Sequence, residues 1–425
     1  MGPIPPYRLV SVISAAALSP SYISTPEGVT HLAQRCALAD RIAVDTEADS
    51  LHHYREKVCL IQISMEDDHY LLDPLAARDL TPLLEVLAHR PLIFHGGDYD
   101  LRMLFLGYGF KAQEPVFDTM LAAQILGHEK LGLAALVLEF FDVELPKYGQ
   151  KSDWSQRPLS QDLLDYAIND TRYLETLQDR LSAQLDELGR LQWHQESCAR
   201  MVETALHPNH ERDPEREWRI KGASALQGRA LALVRALWYW REEQASLIDR
   251  PAFKVLNNSA LLELAQWADT HPDEDLSQGP RLPRNFVGQR LVSLKQALVQ
   301  ALLLAPPQWP SRRPSRTLTP FDPDSVRPDD ALVLALQAER DEVAKEINLP
   351  PSVLAPRSIL LTLASRLPVT LEEILASTRL MRWQAALLAE RFLVVLKKAA
   401  KANGRPANGL MPASPAPGES PSDSL

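Results

Sequence analysis

Arg41-Ile42-Ala43-Val44-Asp45-Thr46-Glu47 is a short apolar run that finishes on two acids. A run of this kind with a polar edge marks a buried strand. Side chains two apart on an extended segment point to the same side, so Asp45 and Glu47 are expected to project together from the end of a central strand. On either side of the sheet this strand would build, Val58-Cys59-Leu60-Ile61-Gln62-Ile63-Ser64 predicts a second buried strand. His69-Tyr70-Leu71-Leu72 predicts its partner, and Pro91-Leu92-Ile93-Phe94 predicts another. Helical spacing follows near residues 74–89, 98–106, 118–127, 131–140 and 160–188, which gives an α/β domain with a mixed sheet. The mildly apolar stretch Leu9 to Leu18 is expected to be its lead-in strand.

After residue 217 no strand pattern appears. Seven stretches between Leu226 and Ala400 have helical spacing, which predicts two all-α modules of several short helices. The 33 prolines mark the seams, chiefly Pro306 to Pro314 and, more softly, His207 to Glu217. The tail 401–425, rich in Pro, Ala, Gly and Ser, is expected to be disordered. A chain of 425 residues has room for about three domains, and its 45% hydrophobic and 24% charged composition is globular. Cys36, Cys59 and Cys198 are far apart in the sequence, which predicts neither a disulfide framework nor a zinc site. With no apolar window of about 18 residues, a soluble, cytoplasmic protein without membrane association is expected.

The formal net charge of −10 argues at first against a nucleic-acid partner. The acid is uneven, however: residues 1–205 hold 17 Lys/Arg against 30 Asp/Glu, whereas residues 206–425 hold 28 against 25. Between 281 and 316 stand seven basic side chains, including Arg281, Arg284 and Arg290, and no acid. They suit phosphate contact, and a solvated basic linker explains them as well.

Each candidate catalytic residue has an ordinary explanation when taken alone. Asp45 and Glu47 could form an exposed acidic turn. Asp100 follows a strand that passes through His95-Gly96-Gly97 into a helix, where α/β proteins place their sites, while Asp98 and Asp118 read as helix caps. Tyr166 and Asp170 share one face of a helix that Ser160 can cap. Taken together, four carboxylates and a phenol from a strand end, a strand-to-helix turn and a late helix can meet at one sheet edge. An oxygen-only set suits Mg²⁺ or Mn²⁺. Two such ions about 4 Å apart are the usual clamp for phosphodiester hydrolysis.

The order Asp45-x-Glu47, Asp100, Tyr166-x-x-x-Asp170 resembles the three motifs of the DEDDy 3′-to-5′ exonucleases. Ala43-Val44-Asp45-Thr46-Glu47, Cys59-Leu60-Ile61-Gln62-Ile63, Phe117-Asp118-Thr119, Ser152-Asp153-Trp154-Ser155-Gln156-Arg157-Pro158-Leu159 and Tyr166-Ala167-x-x-Asp170 look like the ribonuclease D family. Glu217-Trp218-Arg219-Ile220-Lys221-Gly222, Leu237-Trp238-Tyr239-Trp240-Arg241-Glu242-Glu243 and Asp249-Arg250-Pro251 resemble its helicase-and-RNase-D C-terminal (HRDC) domain. The resemblance implies a ribonuclease H-like exonuclease domain at 7–205, an HRDC domain at 218–305 and a divergent second copy at 326–400.

It also implies a hydrolase that shortens RNA 3′ ends to 5′-mononucleotides with two divalent ions, in maturation of precursor transfer RNA and other small structured RNAs. Asp45, Glu47 and Asp170 would hold one ion, Asp45 and Asp100 the other, and Tyr166 would orient the attacking water. Lys147 stands where the family tends to carry a Lys for phosphate. Ala48 departs from the pattern, since the family usually has an aromatic residue after D-x-E. No nucleotide cofactor is expected, and the chain is expected to act as a monomer. Two rival readings remain at this level: a DNA exonuclease of the same superfamily, and a catalytically silent nucleic-acid-binding scaffold.

Overall fold

A computed structural model of the chain describes residues 21–146, 148–207, 213–311 and 329–402. Its first part is built on a six-stranded sheet of order β1-β4-β3-β2-β5-β6. The strands are β1 (Ser21–Ile23), β2 (Ile42–Ala48), β3 (Val58–Met65), β4 (Asp68–Leu72), β5 (Leu92–Phe94) and β6 (Val116–Asp118). The β2-β3 and β3-β4 pairs are antiparallel, whereas β1-β4, β2-β5 and β5-β6 are parallel. The sheet is therefore mixed. All eight residues of β3 are buried, as a central strand covered on both faces requires.

Helices α1 (Pro26–Cys36), α2 (Pro74–Ala77), α3 (Thr81–Ala88), α4 (Asp98–Tyr108), α5 (Thr119–Leu126), α6 (Leu133–Phe141), α7 (Gln161–Arg172), α8 (Leu174–Glu187) and α9 (Leu191–Leu206) pack around it. Ser160 caps α7 through the Leu163 N–H, and Asp118 caps α5 through Leu121. Three local expectations need correcting. β2 continues through Ala48, so Asp45 and Glu47 lie within the strand and not at its end, because β3 supplies ladder partners as far as Val58. The helix expected over 160–188 is two helices that meet at Tyr173 and pack on different clusters, α7 with Trp154 and Leu60, α8 with Ala122, Ile125 and Leu136. Asp98 caps nothing: Gly97 holds the cap position of α4, and Asp118 reaches across to accept the Gly97 N–H at 2.8 Å.

Among the described residues no strand follows β6. A first helical module holds α11 (Gly228–Leu247), α12 (Ala252–Val255), α13 (Asn258–Thr270) and α14 (Gln289–Leu302), with α10 (Pro214–Glu217) leading in. Trp218, Trp238 and Trp240 belong to its apolar core. A second module, α15 (Asp330–Glu346), α16 (Pro351–Leu354), α17 (Arg357–Arg366), α18 (Leu371–Ser377) and α19 (Arg382–Ala402), closes around Leu336, Leu388 and Phe392.

The two modules repeat one plan. In each, a buried Arg on the first long helix bonds a carbonyl 15 residues on, Arg241 to Leu256 and Arg340 to Ala355. In each, the corner before the short helix turns on a residue of positive φ, Asp249 at 47° and Asn348 at 54°. Short polar side chains tolerate that left-handed conformation better than most.

Both modules pack on the α/β domain. The second stacks Trp383 on Trp193 at 4.9 Å, and Glu196 accepts the first N–H groups of α19. The first meets the loop between β2 and β3. The expected lead-in strand at 9–18, Lys147 and nearly all of the tail lie outside the described residues. No described helix is long and apolar enough to cross a membrane.

Candidate active site

The middle of the sheet delivers the acids. Asp45 and Glu47 alternate along β2 and so face the same side, toward α7. Carboxylate oxygens of Asp45, Glu47 and Asp170 all lie within 4.8 Å of one another. Asp100 comes from the first turn of α4 and is buried. Its Oδ1 accepts the backbone N–H of Thr46 at 2.8 Å and the Thr46 hydroxyl at 2.6 Å.

Tyr166, one turn before Asp170 on α7, hydrogen-bonds that carboxylate. Its ring is hemmed in by Trp154 at 6.1 Å and by Tyr148 at 6.3 Å. Gly149, at a φ of 112°, lies so close that a Cβ there would stand 2.7 Å from the Tyr166 ring. The loop before α7 can pass over the phenol only with glycine at this point.

Charges of one sign held this near each other disfavour ionisation, and burial adds to the effect. Burial first, then Asp100, Asp170 and Glu47, raise the Asp45 carboxyl well above the usual range. Burial and the charges of Asp170 and Asp100 raise Glu47 to about 9. Asp170 is raised to about 7 by burial and Asp100, against the hydrogen bond from Tyr166. Asp100 reaches only about 6, because the two Thr46 donors oppose its desolvation. Burial and the neighbouring carboxylates push the Tyr166 phenol well above its ordinary value.

Such a cluster is poorly satisfied by protein alone and suits positive charge. Its donors are carboxylate oxygens throughout, the set that hard divalent cations take, so the residues fit such ions. The sequence-predicted residues Asp45, Glu47, Asp100, Tyr166 and Asp170 are thus brought together.

The basic candidates are divided. Arg281 and Arg284 line one groove of about 390 Å³ in the first module, with Lys254 and the exposed ring of Phe253. Arg290 sits in the first turn of α14 and is not among the groove's lining residues. Three residues that matter here were not singled out from the sequence. Thr46, the spacer of D-x-E, orients Asp100. Gln62 faces Asp45 across the ladder, fully buried, its amide without a partner among the described residues; a lone polar residue in the apolar run 58–63 was the signal. Tyr148, 47% exposed beside Tyr166, carried none.

Known proteins resemble this chain in sequence and in fold. The pattern of the family described as 3'-5' exonuclease matches residues 20–186, and that of the HRDC domain matches residues 230–277 and 329–396. The ribonuclease D of Zymomonas mobilis is 32% identical over 328 residues, which cover 74% of this chain and 81% of the relative. That of Pseudomonas paraeruginosa is 32% identical over 340 residues, covering 77% and 86%. Among solved structures, Escherichia coli RNase D superimposes with a TM-score of 0.68 at 23% identity, over 90% of this chain and 99% of that one. The catalytic core of RRP6 from Trypanosoma brucei gives 0.59 at 26% identity, over 68% and 80%.

Proposed function

Because the chain belongs to the ribonuclease D family and is a 3′-to-5′ exoribonuclease, we propose that it removes nucleotides singly from RNA 3′ ends as 5′-monophosphates. Two divalent cations, Mg²⁺ or Mn²⁺, would be held by Asp45, Glu47, Asp100 and Asp170. The observation that carries this reading is the meeting of Asp45, Glu47 and Asp170 oxygens within 4.8 Å, with Asp100 fixed beside them by Thr46. Bound there, the ions would make an attacking water acidic and offset the charge that develops on the leaving 3′ oxygen.

The chain's own residues do the rest. Tyr166 keeps its proton through neutral pH, since its phenol lies well above its ordinary value. It therefore serves as a hydrogen-bonding group that orients the attacking water and not as a general base. The half-exposed ring of Tyr148 at the mouth of the site supplies a stacking surface for the terminal base, in place of the aromatic residue that Ala48 lacks. Farther out, Arg281, Arg284 and Lys254 would hold backbone phosphates while Phe253 stacks on a base. Lys147 is a further phosphate contact on this reading, and Arg290 a peripheral one. Precursor transfer RNAs with short 3′ trailers and other small structured RNAs are the substrates proposed.

Replacement of Asp45 by Asn tests the reading. Mg²⁺-dependent release of nucleotides from an RNA 3′ end should disappear, and its survival would overturn the two-metal assignment. RNA and DNA of one sequence, compared side by side, decide the sugar: equal or faster DNA digestion rejects RNA as the substrate.

A further inference from the structure

The loop between β2 and β3, residues 49–57, is fastened to each part of the site. Asp49, fully buried at its start, accepts the backbone N–H of Lys57 at 2.9 Å and pairs with the Lys57 ammonium. Glu56 accepts the hydroxyl of Tyr99, the neighbour of Asp100, at 3.1 Å. His52 Nε2 reaches the Lys151 carbonyl at 3.0 Å, in the segment that leads to α7. His53 spans the widest gap. Its Nδ1 lies 2.6 Å from Asp249 Oδ2 in the first helical module, and its Nε2 lies 3.0 Å from Ser155 Oγ in the segment before α7. The next residue, Tyr54, donates its N–H to the other Asp249 oxygen at 3.1 Å, and its ring packs against the module's core.

Counting hydrogens fixes the form of this contact. Ser155 gives its one hydroxyl hydrogen to Asp153 Oδ1 at 2.5 Å, and an ionised Asp153 can only accept. The Ser155 oxygen must then accept from His53 Nε2, while Asp249 accepts from Nδ1. Both ring nitrogens donate, so the imidazole carries a positive charge in this arrangement. The charged groups facing it agree: Asp249 from the corner after α11, Asp153 behind Ser155 with His52 Nδ1 3.8 Å from its Oδ2, and Asp49 Oδ2 at 3.8 Å from its own loop, where the Lys57 ammonium is paired to Asp49. The corner itself is a docking element. At the equivalent corner of the second module, Ile347 accepts a hydrogen bond from Arg190 at 2.7 Å, and the Asn348 carbonyl lies against Gly127. Both modules meet the catalytic domain through this turn, and in the first an acid points at the loop behind Asp45 and Glu47.

We propose that His53 is a positioning residue that couples the first helical module to the catalytic centre. With both ring nitrogens protonated it clamps Asp249 to Ser155, and so holds together the segments that present Glu47 on one side and Tyr166 on the other. The inference rests on the exoribonuclease reading for its effect on rate, but the clamp itself does not depend on that reading.

The test uses the full chain, with H53A, D249G and the double variant. Glycine suits the positive φ at 249, so D249G removes the carboxylate without straining the turn. On a single-stranded oligoribonucleotide at pH 6.5, each single variant should lower kcat about three- to tenfold with KM unchanged. The double variant should be no slower than either single one. In hydrogen exchange without RNA, D249G should speed exchange over 49–57 and 150–157. Wild-type kcat in both single variants, or additive losses in the double, would overturn the positioning role. Unchanged exchange in D249G would overturn the clamp whatever the activity. If the wild-type chain releases no nucleotides from RNA, the exoribonuclease reading fails and the exchange measurement still decides the clamp.

Discussion

Thr46 donates both its backbone N–H and its hydroxyl to one oxygen of Asp100, at 2.8 and 2.6 Å. The spacer of the strand motif thereby fixes an acid that arrives from a different element, and its two bonds favour the ionised form of a buried carboxyl. Thr46→Val keeps the backbone bond and the side-chain shape and loses the hydroxyl. A hydrogen bond to a charged group contributes about 1.5–3 kcal/mol, so kcat should fall roughly tenfold or more, with a higher Mg²⁺ requirement. Thr46→Ser should restore both. Titrating activity against Mg²⁺ for the three proteins decides the point, and a valine variant equal to wild type would remove Thr46 from the site.

The raised acids make a signed prediction about pH and metal. Asp170 at about 7 and Glu47 at about 9 bind protons more tightly in the folded chain than in the unfolded one, where carboxyls titrate near 4. The stability they lend is complete below that unfolded value and is lost as pH rises through the folded ones. Between pH 6.5 and 8.5 the metal-free protein should therefore weaken. Divalent ions compete with those protons, so the gain in Tm on adding Mg²⁺ should grow over the same range. Thermal melts in chelator and in Mg²⁺ measure it, with Glu47→Gln flattening the trend. A Mg²⁺ shift independent of pH would contradict the arrangement.

The sheet was readable from local pattern because β3 is apolar at nearly every position and Asp45 and Glu47 alternate with buried neighbours. What set the end of β2 was not local: Leu60 and Val58 continue the ladder past the two acids, and polarity alone does not report a pairing partner. The break at Tyr173 carries no Gly or Pro; it arises because α7 and α8 serve different clusters. Asp98 had the composition of a cap, but Asp118 took the Gly97 N–H from across the sheet edge. The pairing of Tyr166 with Asp170 followed from helical spacing. That they can meet Asp45 and Asp100 at one sheet edge followed from the α/β pattern, and the family resemblance singled out these residues as one set, since no spacing rule connects a strand to a helix more than a hundred residues later. The contact of His53 with Asp249 lay beyond both, because it joins two separately folded parts.

Gln62 offers a separation of stability from activity. Its amide is buried opposite Asp45 with no partner among the described residues, and an unsatisfied buried polar group costs about 1–3 kcal/mol. Gln62→Met keeps the approximate volume and removes the amide. Urea melts in chelator should show a gain of about 1 kcal/mol, while kcat in saturating Mg²⁺ falls, because the amide is then missing from the occupied site. A variant that gains stability and keeps full activity would make Gln62 a passive core residue.

The groove of Lys254, Arg281 and Arg284 sets the last expectation. Lys295, part of the same basic stretch, is paired with Asp275 at 2.6 Å, so the stretch does not present all its charge. The three groove cations line one cavity together with the exposed Phe253 ring. If they hold phosphates, each releases counterions from the RNA, and the salt dependence of KM reports their number. Replacing Arg281 and Arg284 together by Ala should raise KM for a long single-stranded RNA and lower the slope of log KM against log salt by about 1.4, at about 0.7 per phosphate lost on a single strand. A trinucleotide, which has only two phosphodiesters and engages the catalytic acids with them, should be degraded as by wild type. Phe253→Ala should raise KM for the long RNA without changing the slope, since stacking on a base releases no counterion. Equal slopes in the arginine double variant and wild type would show that RNA takes another path from the catalytic site.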